Sequence, residues 1–219
     1  MGRRRKLLPD PPDRPGTREP APAQLTPGAD WDGLEVGADV EVPEHVADVR
    51  LQECRWSGVD LSGRSFDGLT VRDTEFVGCD LSGAVLDGAV LTRVVFRGCR
   101  LTGTVFSGAE LADVRVSDGT ADLSAFRMTR ARFLLIEDTS LRGADLHRFR
   151  GSGCALLRCD LTGALLTDAD LGGTDLHGST LDDVHGALAL RGCRIGAEQL
   201  VPVGAALLAA LDIRITQRP

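Results

Sequence analysis

Between residues 79 and 106 the chain reads CDLSGAVLDGAVLTRVVFRGCRLTGTVF, and the spacing of its large apolar residues decides the fold. They recur at every fifth position, at Leu81, Leu86, Leu91, Phe96, Leu101 and Phe106. Toward the N-terminus the same phase holds through Phe76, Val71, Phe66, Leu61, Trp56 and Leu51. Toward the C-terminus it continues through Leu111, Val116, Ala121, Phe126, Ala131, Ile136, Leu141, Leu146 and Gly151, and then in steps of five from Leu156 to Leu181. Of these 27 centres 24 are large and apolar and none is polar, a run that chance does not sustain at 42% hydrophobic residues. Two residues before each centre, 23 of 27 positions are Gly, Ala, Ser, Cys, Thr or Val; the exceptions are Arg64, Leu69, Leu134 and Phe149. Two residues after each centre, 20 of 27 are Gly or Asp, which tolerate tight turns.

Neither a helical nor a simple strand period fits this pattern. A period of five with two inward residues describes one short side and one corner per repeat, and four corners close a square coil of 20 residues. The expectation is an all-β solenoid, a right-handed quadrilateral β-helix with a short C-terminal α-helix. The five in-register phenylalanines and Trp56 all occupy alternate centres. Opposite faces of the square therefore share a residue type, with Trp56, Phe76 and Phe96 in one column and Phe66, Phe106 and Phe126 in the facing one. At ~4.8 Å between strands the body is about 32 Å long.

The repeat region is expected over 49–195. Around it the sequence reads as a disordered Pro/Arg-rich tail at 1–30, an N-terminal cap at 31–48 and a capping or dimerising helix at 196–215. Residues 1–30 hold seven of the ten prolines. Within 197–211 the apolar stripe is Leu200, Val203, Leu207, Leu208 and Leu211, with Pro202 placed where it could split the helix. Over 116–141 the phase survives but the filling changes. Ala121 and Ala131 are small centres, and Leu123, Met128 and Phe133 stand at outward positions, which reads as a bulging loop, an apolar ridge or a slipped core. Phe149 beside Gly151 is a second irregularity, and after Leu181 the phase slips so that Leu190 and Ile195 become centres.

The six cysteines (Cys54, Cys79, Cys99, Cys154, Cys159, Cys193) all fall two residues before a centre, as small inward fillers rather than as a disulfide or zinc set. His45, His147, His177 and His185 lack metal-ligand spacing, no phosphate-binding loop is possible without a lysine after residue 6, and no catalytic constellation can be assembled. The chain reads as no enzyme, with no cofactor and no metal. No apolar run spans a membrane, and Leu7 and Leu8 alone follow the basic start, too little for a secretion signal, so a cytoplasmic protein is expected. The formal charge is −7 over 219 residues, but residues 49–219 hold 19 bases against 22 acids, no field for direct binding of duplex nucleic acid. The function expected from the residues is a protein-binding scaffold.

Cys79-Asp80-Leu81-Ser82-Gly83, Ala144-Asp145-Leu146, Cys159-Asp160-Leu161-Thr162-Gly163, Ala169-Asp170-Leu171-Gly172-Gly173 and Thr174-Asp175-Leu176 resemble the A(D/N)LxX motif of the pentapeptide-repeat family. The best-known members of that family resemble a rod of B-DNA, dimerise through the C-terminal end and bind type II topoisomerases, protecting gyrase from quinolones. Carried over, the resemblance implies a DNA-mimic binding DNA gyrase as the alternative function. Asp160, Asp168, Asp170, Asp175, Asp182 and Asp183 would then form the partner-binding acidic surface, and Leu207, Leu208 and Leu211 the homodimer interface.

Overall fold

The computed structural model describes residues 9–12 and 18–216. The five-residue phase builds a right-handed parallel β-solenoid. Strands of three residues repeat every 20 positions and pair in parallel with the coil below, as in Val95–Arg97 on Glu75–Val77 and Arg115–Ser117 on Val95–Arg97. One side is an eight-stranded sheet running from Glu19–Pro20 to Ala155–Leu157, and the neighbouring side is a seven-stranded sheet from Asp30–Asp32 to Arg150–Ser152. The other two sides are made mainly of single bridges, Asp60 to Asp80 to Arg100 to Thr120 on one and Ser65 to Val85 to Val105 to Ala125 on the other.

The centres form one continuous buried core. Phe76 and Phe96 stack with centroids 5.0 Å apart, Phe106 and Phe126 with centroids 5.1 Å apart, and Phe96 meets Phe106 edge-on across the interior at 6.5 Å. Two facing aromatic columns thus fill the tube, each ring placed by the backbone pairing of its coil. All 27 corner residues two positions after a centre, from Glu53 to Asp183, have positive φ. For an ordinary L-residue that conformation costs roughly 1–2 kcal/mol, which is why Gly and Asp crowd there.

Four expectations need correction. Residues 18–30 are not a disordered tail. Glu19–Pro20 pairs in parallel with Leu34–Val36, Gln24 bridges Glu41, and Leu25 is fully buried over the open end of the tube. Proline is tolerated in a terminal strand, which has one side without a ladder partner. Residues 1–8 and 13–17 of that tail lie outside the described residues. Residues 31–48 form a coil of the solenoid rather than a separate cap: Trp31, Val36 and Val46 sit one coil below Leu51, Trp56 and Phe66. The signal is lost in between because Glu41 stands exposed at the expected centre while Val42 is buried. Residues 116–141 do not bulge. The strands Arg115–Ser117, Arg130–Arg132 and Leu135–Glu137 keep the ladder, and Leu123, Met128 and Phe133 sit at left-handed corners with φ of 58°, 57° and 58°. Pro202 does not split the terminal helix, α1 (Leu200–Ala210), because it lies in the first turn, where its missing N–H has no partner to lose.

The core irregularities compensate in volume. A Cβ on Gly151 would lie 3.0 Å from the Phe149 ring, so that ring occupies the space the glycine leaves. Leu134 is likewise buried near the small centres Ala131 and Ala121. The phase slip after Leu181 is taken up by a 3-10 turn, Ala187–Leu190, that buries Ala187 and Leu190. Residues 9–12 lie against the outer face of the eight-stranded sheet beside Glu75, Arg97, Arg115 and Glu137, and Val95 and Ser117 are buried there. Among the described residues no helix is long and apolar enough to cross a membrane.

Candidate interaction surfaces

The small position before each centre does more than fill space. Several of the hydroxyls and thiols there donate to the carbonyl of a centre residue one coil below, while Thr74 and Thr139 donate to the carbonyl two residues back and Ser124 to Ala121 O of its own coil. Thr104 Oγ1 reaches Leu81 O (2.7 Å), Thr129 reaches Phe106 O (2.6 Å) and Ser179 Oγ reaches Leu156 O (2.8 Å). The thiols of Cys99 and Cys159 make the same bond to Phe76 O and Ile136 O. All six cysteines are free, five buried and Cys193 half-buried. Burial pushes Cys159 up to about 12 and Cys193 up to about 11, and the neighbouring Cys79 thiol together with burial raises Cys99. Cys99, Cys159 and Cys193 are thus held protonated at neutral pH, while the hydrogen bond with Cys99 lowers Cys79.

The aspartate that precedes many centres has an equally local duty. Its carboxylate accepts the N–H two residues on, as in Asp60 to Ser62 (2.9 Å), Asp80 to Ser82 (2.9 Å) and Asp145 to His147 (2.9 Å). This side-chain turn satisfies a donor the short side leaves unpaired. The acidic set of the last coils must be judged against that duty. Asp160, Asp170 and Asp175 accept from Thr162, Gly172 and His177, and Asp168 and Asp183 hold left-handed corners. Asp160 is also paired with Arg142 (2.8 Å), Asp168 with Arg148 (3.7 Å) and Asp175 with Arg194 (3.5 Å). Asp182 alone has no such turn or corner role, and Asp182 and Asp183 are exposed without an ion pair among the described residues. The four histidines stand at the surface or half-buried, and the described residues bring together no group of three or more metal-ligating side chains.

The C-terminal end is apolar and wet. Helix α1 covers the last coil with Val203, Ala206 and Leu207, so Leu207 belongs largely to its own core. Leu208 is half-buried and Leu211 is 55% exposed. Leu200 (68%), Val201 (80%), Ile213 (51%) and Ile215 (85%) extend that exposed surface; Leu200, which the apolar stripe placed inward, points to solvent. Sequence reasoning did not mark Val201, Ile213 or Ile215, because no helical period links them.

A model of the pentapeptide repeat region matches residues 49–126, and one of pentapeptide repeats in eight copies matches residues 152–183. Among solved structures the chain is similar to QnrB1, a plasmid-mediated fluoroquinolone resistance protein, at 18% identity over 90% of this chain and 94% of that one, with a TM-score of 0.44. It is also similar to HetL of the cyanobacterium Nostoc, a protein involved in heterocyst differentiation regulation, at 18% identity over 82% of this chain and 90% of that one, with a TM-score of 0.27. No curated protein matches the sequence significantly.

Proposed function

Because the chain belongs to the pentapeptide-repeat family, we propose that it is a non-enzymatic protein-binding scaffold of the cytoplasm that works as a homodimer. The observation that carries the reading is the apolar C-terminal end, where Leu200, Val201, Leu211, Ile213 and Ile215 are each more than half exposed. Such a patch on a monomer marks an interface, and a two-fold contact there would join two solenoids end to end. Leu211 and the half-buried Leu208 belong to this interface, while Leu207 supports it from the core side. Light scattering is expected to give a dimer for the wild type and a monomer of unchanged circular dichroism for Leu211→Arg. A monomeric wild type would remove the dimer from the proposal.

A second reading is a DNA-mimic that binds DNA gyrase and protects it from quinolone-type poisons. It is supported by Asp182 and Asp183, exposed without ion partners among the described residues on the coil beside the apolar end. It is weakened by the structural duties and arginine pairing of Asp160, Asp168 and Asp175. A supercoiling assay with gyrase, with and without a quinolone, distinguishes the two. Unchanged gyrase activity at saturating protein eliminates the mimic and leaves the scaffold.

A further inference from the structure

Several arginines of the repeat body are tied to a carboxylate of an adjacent coil, as Arg93 is to Asp73, Arg100 to Asp80 and Arg158 to Asp138. The outer face of the seven-stranded sheet gathers several that are not. Among the described residues Arg50, Arg72, Arg132 and Arg150 make no ion pair, and Arg130 reaches Glu110 only at 3.6 Å with both side chains largely exposed. Arg130 and Arg150 are direct register partners on adjacent strands, a placement in which like charges repel, with Glu110 in register below Arg130 and Asp170 in register above Arg150. Arg132 lies over the Phe133 ring, 5.7 Å from its centroid.

The corners beside these strands are unusual in the same coils. Met128, Arg148 and Phe133 occupy left-handed positions where glycine would be unstrained, and Met128 leaves 56% of its surface in water. Like-charge register and an exposed thioether therefore coincide on one patch. We propose that this patch, the strands Arg130–Arg132 and Arg150–Ser152 with Met128, Arg148 and Phe133 at their edges, is the docking surface for an acidic protein segment that carries apolar side chains.

The chemistry selects that occupant. A carboxylate between Arg130 and Arg150 turns their repulsion into a two-armed clamp, since each guanidinium presents a planar fork of donors. Methionine is unbranched and polarisable and accommodates leucine-like side chains of varied shape. A nucleic acid fits less well: the cationic cluster is only two strands wide, and the chain around it, with 19 bases against 22 acids over residues 49–219, repels a long polyanion. The inference rests on the scaffold reading and supplies the chemistry of one partner.

The test is fluorescence anisotropy on the full chain with three labelled probes: a short peptide alternating glutamate and leucine, its lysine-for-glutamate counterpart, and a short DNA duplex. The glutamate peptide is expected to bind, to weaken with added salt, and to lose about tenfold or more in affinity with Arg132→Glu/Arg150→Glu, as removal of charge-assisted contacts requires. Met128→Gly is expected to weaken the same binding while its thermal midpoint stays at or above that of the wild type, which separates lost contact from lost fold. Failure of the glutamate peptide to bind, or binding untouched by the double variant, overturns the proposal. So does equal binding of the lysine peptide, and tighter binding of DNA through the same arginines would make the patch a nucleic-acid surface instead. Light scattering tests the scaffold reading independently, so a failed docking site and a failed scaffold give different results.

Discussion

Gly63 and Gly119 show two separate reasons for glycine in one repeat. Gly63 sits at a corner with φ of 64° and open space where a Cβ would go. Gly63→Ala should therefore cost only the left-handed strain, about 1 kcal/mol. Gly119 is not left-handed, but a Cβ there would lie 2.5 Å from the Cys99 carbonyl oxygen, a backbone atom that cannot swing away. Gly119→Ala should lower the denaturation midpoint more than Gly63→Ala does; equal losses would show that close coil approach is not what demands glycine. The thiols obey the same geometry. Because the cysteines are buried or half-buried, with Cys159 held up at about 12 and Cys193 at about 11, a thiol reagent at neutral pH should label the native protein slowly and the denatured protein quickly. Fast native labelling of two or more thiols would contradict their inward placement.

The element that closes the tube depends on a residue with no apolar signal. Gln199, just before α1, is almost fully buried and donates through Nε2 to Leu176 O (2.7 Å) and Ser179 O (2.6 Å), while its Oε1 accepts from Gly196 N (2.7 Å). It stands one coil above Ser179 and two above Cys159, and it repeats their bond to the carbonyl below. The solenoid is thus ended by an amide that imitates the next coil. Gln199→Ala should leave two carbonyls buried without donors, a loss of about 1–3 kcal/mol. Hydrogen exchange should then speed up in residues 176–190 while the middle coils stay protected. Uniform protection across the chain would deny Gln199 its capping role.

Across the whole molecule, carboxylates are tied into the ladder by charge and by turn. The Arg158 guanidinium holds Asp138 below the usual carboxylate value of 3.8, and the Ser62 side chain and N–H do the same for Asp60. A carboxylate whose folded value is depressed stabilises the fold above its unfolded value and loses that contribution as pH falls through the folded one. The melting temperature, followed by circular dichroism, should therefore hold from neutral pH down to about 3.8 and decline below it. Each exposed pair contributes little by itself, so a gradual decline is expected. A protein that grew more stable below pH 3.8 would show that these pairs are not formed.

The coil, its core and the placement of the cysteines were legible in the sequence because each follows from a strict period: a centre every fifth residue must point inward if the chain is to close a square. Trp56, Phe76 and Phe96 could be put in one column by counting alone. What counting could not see was anything decided by the neighbouring coil. Leu25 and Gln199 cap the tube without belonging to the repeat, since a cap needs only to cover an end and can come from any local structure. Leu123, Met128 and Phe133 looked like a broken register, yet the ladder above and below holds their corners left-handed in spite of the strain. Asp160 and Asp175 looked like a charged surface, and their arginine partners emerge only when the coils are stacked. A one-dimensional period determines which side chains point inward; the arginine–carboxylate pairs between coils join residues 18 to 22 positions apart, and that distance is bridged only in the tertiary structure.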